Sequence, residues 1–114
     1  MIRFGINLLN LVSDSKILRF DRLVLSQSEI NPKMANFFYE RACLATYLEL
    51  ERIITHGQKQ GFIKAPDEPE LIADILLNSW KGRIYEHSLH GCKTAKYSNP
   101  AERVSKVLKI VLDL

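Results

Sequence analysis

The pattern of apolar and polar residues along the chain is helical from end to end. Apolar residues recur at intervals of three and four, and no segment of useful length alternates as a half-buried strand does. Prolines, glycines and capping residues divide this pattern into five segments. We therefore predict an all-α protein with helices near residues 2–12, 15–30, 32–60, 69–90 and 100–114.

Capping residues predict where four of these helices begin. Asn31-Pro32 and Asn99-Pro100 each place a capping side chain before a proline, which fits the first helical position because no backbone donor is needed there. Asp67 is predicted to cap the fourth helix, and Ser13-Asp14-Ser15 can cap the second.

Two long helices are expected to dominate the fold. The third is predicted to run uninterrupted from Pro32 to the glycines Gly57 and Gly61, since glycine can leave a helix in the left-handed conformation. The fourth contains Gly82 in mid-helix, which costs about 1 kcal/mol relative to alanine. Gly82 therefore indicates either a close helix approach or space for a ligand.

The last two helices are apolar on more than one face. A domain of 114 residues has too few helices to cover all of this surface, and an exposed apolar patch indicates a partner. We predict that the two helices pair with those of a second copy in a four-helix interface about a two-fold axis. The alternative is that the first three helices cover both faces. Helical spacing assigns six residues to the interface: Leu77, Trp80, Ile84, Val107, Ile110 and Val111.

A small-molecule pocket is predicted where the second, third and fourth helices converge. Its candidates combine apolar residues with a few polar groups that could orient a flat or amphipathic organic ligand. The alternative is a packed core in which Arg41 pairs with a carboxylate such as Glu86. The predicted lining residues are Phe20, Val24, Phe37, Phe38, Arg41, Leu48, Ile75, Ser79 and Arg83.

Composition indicates a single folded, soluble domain. Hydrophobic residues make up 46% of the chain and charged residues 25%, and no apolar run reaches the roughly 18 residues that a membrane span requires. Two cysteines are too few for a disulfide scaffold, which favours the cytoplasm. The net charge of +3 comes from scattered residues. The nearest approach to a cluster, Lys93, Lys96, Arg103, Lys106 and Lys109, is more typical of solvated surface than of a nucleic-acid site.

No motif supports catalysis, a cofactor or a metal. Cys43 and His56 are too far apart on one helix to form a nucleophile and base pair. His87, His90 and Cys92 include good zinc ligands but lack a fourth ligand nearby in the sequence. We predict no enzymatic activity. Only a bound metal or a strongly perturbed histidine or cysteine would favour an enzyme instead.

Five stretches of the chain have a characteristic order and spacing. They are 20–29, 31–41, 60–63, 67–73 and 90–91. Together they resemble the ligand-binding and dimerisation domain of TetR-type transcriptional repressors, particularly the AefR-like branch. The resemblance covers most of the chain, and it implies a single helical domain over residues 1–114 that forms a homodimer and holds an effector pocket in its core.

This sequence departs from the TetR pattern at its start, where the helix-turn-helix of the family is absent. We therefore expect that the chain does not recognise an operator and that DNA is reached only through such a domain. The expected function is that of the ligand-sensing and dimerisation domain of a repressor. The alternative is a stand-alone structural dimerisation module without a ligand, which could form mixed dimers with a full-length regulator.

Overall fold

The computed structural model describes residues 1–91 and 96–114, and within these ranges the chain is helical with no strand. The prediction of an all-α protein is confirmed. Five helices follow one another in the described ranges, the third in three consecutive segments. They are α1, Ile2–Val12; α2, Ser15–Ser26; α3, Pro32–Phe38 with Tyr39–Leu44 and Ala45–Gln60; α4, Pro69–Leu89; and α5, Pro100–Leu112.

Side-chain caps fix three of the helix starts. The Asp14 carboxylate accepts two backbone N–H groups of α2, and the Asn31 and Asn99 side chains each accept one, at 3.2 Å, from the residue three positions later. These caps confirm the predicted starts. The prediction for α4 is wrong, because Glu68 rather than Asp67 holds the cap position and makes no side-chain cap hydrogen bond.

Helix α2 ends four residues earlier than predicted, at Ser26 instead of Ile30. The hydroxyls of Ser26 and Ser28 donate to backbone carbonyls three residues back, at 2.7 and 2.9 Å, and such local bonds compete with the helical ladder. Pro32 also disfavours helical geometry at the residue before it. The chain therefore turns over residues 27–30 before α3 begins.

Helix α3 runs to Gln60 but is not uniform, which corrects the prediction of an uninterrupted α-helix. Residues Tyr39–Leu44 form a π-helical segment between two α-helical ones. A π-helix has more residues per turn than an α-helix and occurs frequently at functional sites. The helix ends as predicted at Gly61, which adopts a left-handed φ of 81°.

The core lies along α4, where α1, the end of α3 and α5 pack against it. Trp80 is completely buried there, with its ring centroid 6.4 Å from that of Phe4 on α1. Gly5 permits this packing, because a Cβ at that position would lie 2.7 Å from a methyl group of Val104 on α5. Helices α1, α4 and α5 therefore form one tightly packed layer.

Candidate functional site

A cavity of about 180 Å³ lies between α1, α2, the middle of α3 and α4. An engineered apolar cavity of ~150 Å³ binds benzene, so this space can hold a small organic molecule. Most of its wall is apolar. The lining residues are Leu8, Leu11, Val12, Ile17, Phe20, Asp21, Phe38, Ala42, Cys43, Thr46, Tyr47, Leu77, Lys81 and Tyr85.

The π-helical segment shapes one wall of the cavity. Ala42 and Cys43 lie within it, while Phe38 and Thr46 flank it in the sequence. Thr46 donates its hydroxyl to the carbonyl of Ala42 at 2.7 Å, which supplies a further hydrogen bond beside the widened turn. Helix α3 presents two pairs of adjacent residues to the cavity, Ala42 and Cys43 from the π-helical segment and Thr46 and Tyr47 from the α-helix that follows.

One stripe of α4 forms the opposite wall. Leu77 and Lys81 are one helical turn apart, which places them on the same helix face, and Tyr85 lines the cavity beyond them. The Lys81 ammonium lies 5.0 Å from the centre of the Tyr85 ring, within the range of a cation–π contact. A charged group is therefore held against a wall that is mostly apolar.

Burial perturbs the titratable groups of the cavity. It raises the pKa of the Asp21 carboxyl, an effect that a hydrogen bond with the Tyr85 hydroxyl and the charge of Lys81 partly offset. Burial also raises the pKa of Tyr85 to about 12 and that of the Cys43 thiol above its usual value. Burial lowers the pKa of Lys81, opposed by the charges of Cys43 and Asp21. Each shift has the sign expected for a charge removed from water.

Helix α4 breaks beside this cavity, at Gly82. Its φ of 59° and ψ of −164° are outside the helical region and are essentially restricted to glycine. The Tyr97 hydroxyl donates to the backbone carbonyl of Lys81 at 3.1 Å. The Arg103 guanidinium donates to the backbone carbonyl of Ser79 at 2.5 Å. The Arg103 guanidinium also lies 4.8 Å from the Tyr97 ring centre. Two residues from outside α4 therefore stabilise the break, Tyr97 just before α5 and Arg103 on α5.

Gly82 had been expected to mark either a close approach or space for a ligand, within a continuous helix. The continuous helix is a wrong prediction at this position. A Cβ at residue 82 would lie 2.5 Å from the Tyr97 hydroxyl and 2.7 Å from an Arg103 nitrogen, so the close approach is by two side chains. The glycine allows both the broken backbone and these contacts.

The predicted pocket residues separate into three groups. Phe20 and Phe38 line the cavity, with their ring centroids 5.2 Å apart. Val24 is buried elsewhere along α2, and the Ser79 carbonyl accepts from Arg103. The remaining side chains face solvent, and the Arg41 guanidinium lies 5.0 Å from the centre of the Phe37 ring rather than against Glu86. These exposed residues are Phe37, Arg41, Leu48, Ile75 and Arg83.

The predicted interface residues also separate by burial. Leu77 and Trp80 are 1% and 0% exposed within a single chain, so they offer no surface to a partner, and their assignment to the interface is corrected. Val107 is buried, while Ile84 and Val111 are half-buried. Only Ile110, at 84% exposed, projects fully from its helix. Leu77 and Trp80 lie in the core because α1 packs against the side of α4 that was predicted to face a second copy.

Sequence reasoning missed the polar residues of the cavity, chiefly Asp21, Lys81 and Tyr85. A signal for them was present, because Lys81 interrupts a stripe that begins at Leu77, and Asp21 follows Ile17 by one helical turn. A charged residue inside an apolar stripe indicates either a buried partner or a ligand. The exposed stripe of Phe37 and Arg41 on α3 was chosen instead.

The candidate metal and nucleic-acid residues do not form such a site in the described part of the chain. Among residues 1–91 and 96–114, no three His, Cys, Asp or Glu side chains are grouped so that they could hold a metal ion. Cys92 and Lys93, which belonged to the candidate sets, lie outside the described residues. Lys106 forms an ion pair with Glu102 on α5 and Lys109 with Asp113 just after it, at 2.6 Å in both cases. None of the described helices is long and apolar enough to span a membrane.

A family comparison accounts for this arrangement of helices. The sequence model of the AefR-like transcriptional repressor, C-terminal domain, matches residues 1–113. The chain belongs to this family. No curated protein and no solved structure matches the chain significantly. Domains of this family are the C-terminal domains of TetR-family regulators, and their general roles are dimerisation and ligand binding.

Gly82→Ala tests whether the break in α4 of this AefR-like domain depends on glycine. We expect a loss of about 1–3 kcal/mol in the free energy of unfolding, because alanine is strained at this φ and ψ and its Cβ would displace Tyr97 and Arg103. Urea denaturation measures the loss. The control is Arg83→Ala, the exposed neighbour, which should change stability by less than about 0.5 kcal/mol. Equal stability of Gly82→Ala and the wild type would contradict the broken helix.

Proposed function

We propose that this chain is the ligand-sensing and dimerisation domain of a TetR-type transcriptional repressor, binding a small apolar or amphipathic effector in the cavity between α1, α2, α3 and α4. The observation that carries the proposal is the cavity itself. Its space of about 180 Å³ is lined by apolar side chains from four helices together with polar groups that include Asp21, Lys81 and Tyr85. Small-molecule sites in proteins have this composition.

The two aromatic residues at the cavity support an apolar or flat ligand. Phe20 is 49% exposed although its ring packs edge-on against Phe38 at 5.2 Å. A large aromatic side chain that remains half open to a cavity gains by covering its surface with a ligand. Filling the space therefore stabilises the liganded domain relative to the empty one.

The exposed flank shared by α4 and α5 supports dimerisation. Arg103 on α5 donates to the Ser79 carbonyl on α4, so the helices meet along that flank. Ile75 precedes Ser79 by one turn and Ile110 follows Arg103 by two turns, on the same sides of their helices. These isoleucines are 42% and 84% exposed, and Leu71, one turn before Ile75, is 48% exposed. We call Leu71, Ile75 and Ile110 the α4–α5 flank.

The mechanism follows from the position of α4, which contributes to both surfaces. Lys81 and Tyr85 line the cavity, whereas Leu71 and Ile75 lie on the α4–α5 flank. A ligand that binds one arrangement of α4 more tightly than another shifts the population toward it and so changes the relative pose of two subunits. In a complete regulator, that pose sets the spacing of the attached DNA-binding domains.

The alternative function is a structural dimerisation module that binds no ligand. Such a module needs the α4–α5 flank but has no use for a cavity, and closing the space with larger side chains would stabilise it. The cavity and the perturbed groups around it favour the sensing function. Mixed dimers with another regulator would use the same flank under either function.

Ile110→Glu tests the proposed dimer. The wild type should be a dimer by size-exclusion chromatography with light scattering, and the variant should dissociate at least about 30-fold more readily, since a central interface residue contributes about 2 kcal/mol or more. The control is Ile30→Glu, an equally drastic change at a residue that is 78% exposed in the turn between α2 and α3. A monomeric wild type, or equal dissociation of both variants, would count against this interface.

Binding of 1-octanol, a neutral amphipathic probe, tests the proposed pocket. The unfolding free energy of the wild type should rise by about 1.4 kcal/mol when free octanol is ten times its Kd. Cys43→Phe places a ring at the exposed edge of the cavity and should abolish the increase. The control, Lys59→Phe, introduces the same ring at an exposed site of α3 outside the cavity. An identical response of the three proteins to octanol would refute specific binding in the cavity.

A further inference from the structure

We propose that the effector is an amphipathic organic acid, an apolar body that carries one carboxylate, and that Lys81 binds the carboxylate. The proposal rests on the proposed function, because it assigns a ligand class to the same cavity. The supporting observation is that Asp21 and Lys81, the two charged residues of the cavity, differ in the contacts that they already make.

Lys81 holds its charge in the cavity without a paired carboxylate. Its ammonium contacts the face of the Tyr85 ring at 5.0 Å. The ion pairs among the described residues lie on the surfaces of α3 and α5, and none of them includes Lys81. An ammonium has three hydrogen-bond donors, so Lys81 can still donate to an acceptor on a ligand.

Asp21 is already engaged. The hydroxyl of Tyr85 takes up part of the acceptor capacity of the Asp21 carboxylate, whereas the Lys81 ammonium makes no hydrogen bond or ion pair to the described residues. Lys81 and Asp21 attract each other only at a longer distance than a direct ion pair. The unused binding capacity of the cavity therefore favours an anionic group in the ligand.

The other titratable groups around Lys81 are compatible with this assignment. Cys43 and Tyr47 face the cavity from α3, and α1 contributes only apolar side chains there. On the far side, Lys81 and Tyr85 also line a smaller cavity of about 40 Å³, where Lys96 adds a second positive charge. Burial raises the pKa of the Cys43 thiol, which disfavours a second negative charge beside Asp21.

The remainder of the cavity fits the apolar body of such an acid. Leu8 and Leu11 on α1, Ile17 and Phe20 on α2, and Phe38 on α3 present carbon surface. A straight-chain or aromatic acid can bury its body against these side chains while its carboxylate reaches Lys81. The apolar part contributes affinity and the charged contact contributes selectivity.

Protonation of Lys81 couples this binding to pH. Burial lowers the lysine pKa in the empty domain, and a bound carboxylate raises it again, because an opposite charge favours the ammonium form. The acid should therefore bind with uptake of a proton near the lowered pKa. Its affinity should fall as the pH rises through that pKa, whereas the affinity of a neutral ligand should not change.

The test compares three probes with the same chain, octanoate, 1-octanol and octylamine, by calorimetric titration of the dimeric protein. The wild type should bind octanoate about tenfold or more tightly than the other two, since hydrogen bonds to charged groups carry that much free energy. Lys81→Met should lose about tenfold in affinity for octanoate and keep its affinity for octanol. Lys81→Arg, which retains the charge, should keep the preference for octanoate, and Lys59→Met is the matched surface control.

The outcomes separate this proposal from the proposed function. Equal binding of octanoate and octanol, or preferred binding of octylamine, overturns the carboxylate assignment and leaves the sensing pocket intact. Unchanged octanoate affinity in Lys81→Met overturns the assignment as well. Failure of all three probes to bind the wild type overturns both the ligand class and the pocket. Circular dichroism of each variant shows whether it is folded. If Lys81→Met does not fold, the octanoate preference of Lys81→Arg is compared with that of the wild type.

Discussion

The break of α4 at Gly82 is the constraint on which the rest of the structure depends. A helix that continued regularly would carry its last two turns in a different direction. These turns include Tyr85, which lines the cavity with Asp21. The backbone beside the break needs donors from elsewhere, which Tyr97 and Arg103 provide. The same two contacts tie α5 to α4, so the path of one helix sets the position of the next.

Helix α4 serves the core, the cavity and an exposed flank at once. Trp80 and Leu77 anchor its middle in the core, while Lys81 and Tyr85 extend the stripe of Leu77 into the cavity. The domain is only 17 Å across in its thinnest direction, so few layers of helix are available to cover apolar surface. Surface not covered by the chain itself remains for a ligand or for a second copy.

Local signals predicted the helices well because their causes are local. Asn31 and Asn99 cap the helices that follow them, and each cap needs only residues within one turn. The end of α2 was missed because the hydroxyls of Ser26 and Ser28 compete with the helical ladder over residues that still look helical. The break at Gly82 could not be placed, since the contacts that hold it come from Tyr97 and Arg103, far along the chain.

The site was harder to predict because it depends on which face of each helix turns inward. On α3 the stripe of Phe37 and Arg41 and the stripe of Phe38 and Ala42 are neighbours, and the π-helical segment shifts the register between them. On α4 the spacing that made Trp80 resemble an interface anchor is also the spacing of a core residue. Spacing identifies a stripe, but the packing of α1 decides what covers it.

The proposed sensing function requires that a ligand in the cavity between α1 and α4 acts through α4 on the α4–α5 flank. A two-dimensional amide NMR titration of the domain with octanoate tests this requirement. Saturable shifts are expected at Phe20, Ala42 and Tyr85, with smaller shifts that extend along α4 to Ser79 and into α5 at Arg103. Shifts confined to the exposed flank at Ile75 and Ile110, with none at the cavity, would contradict it.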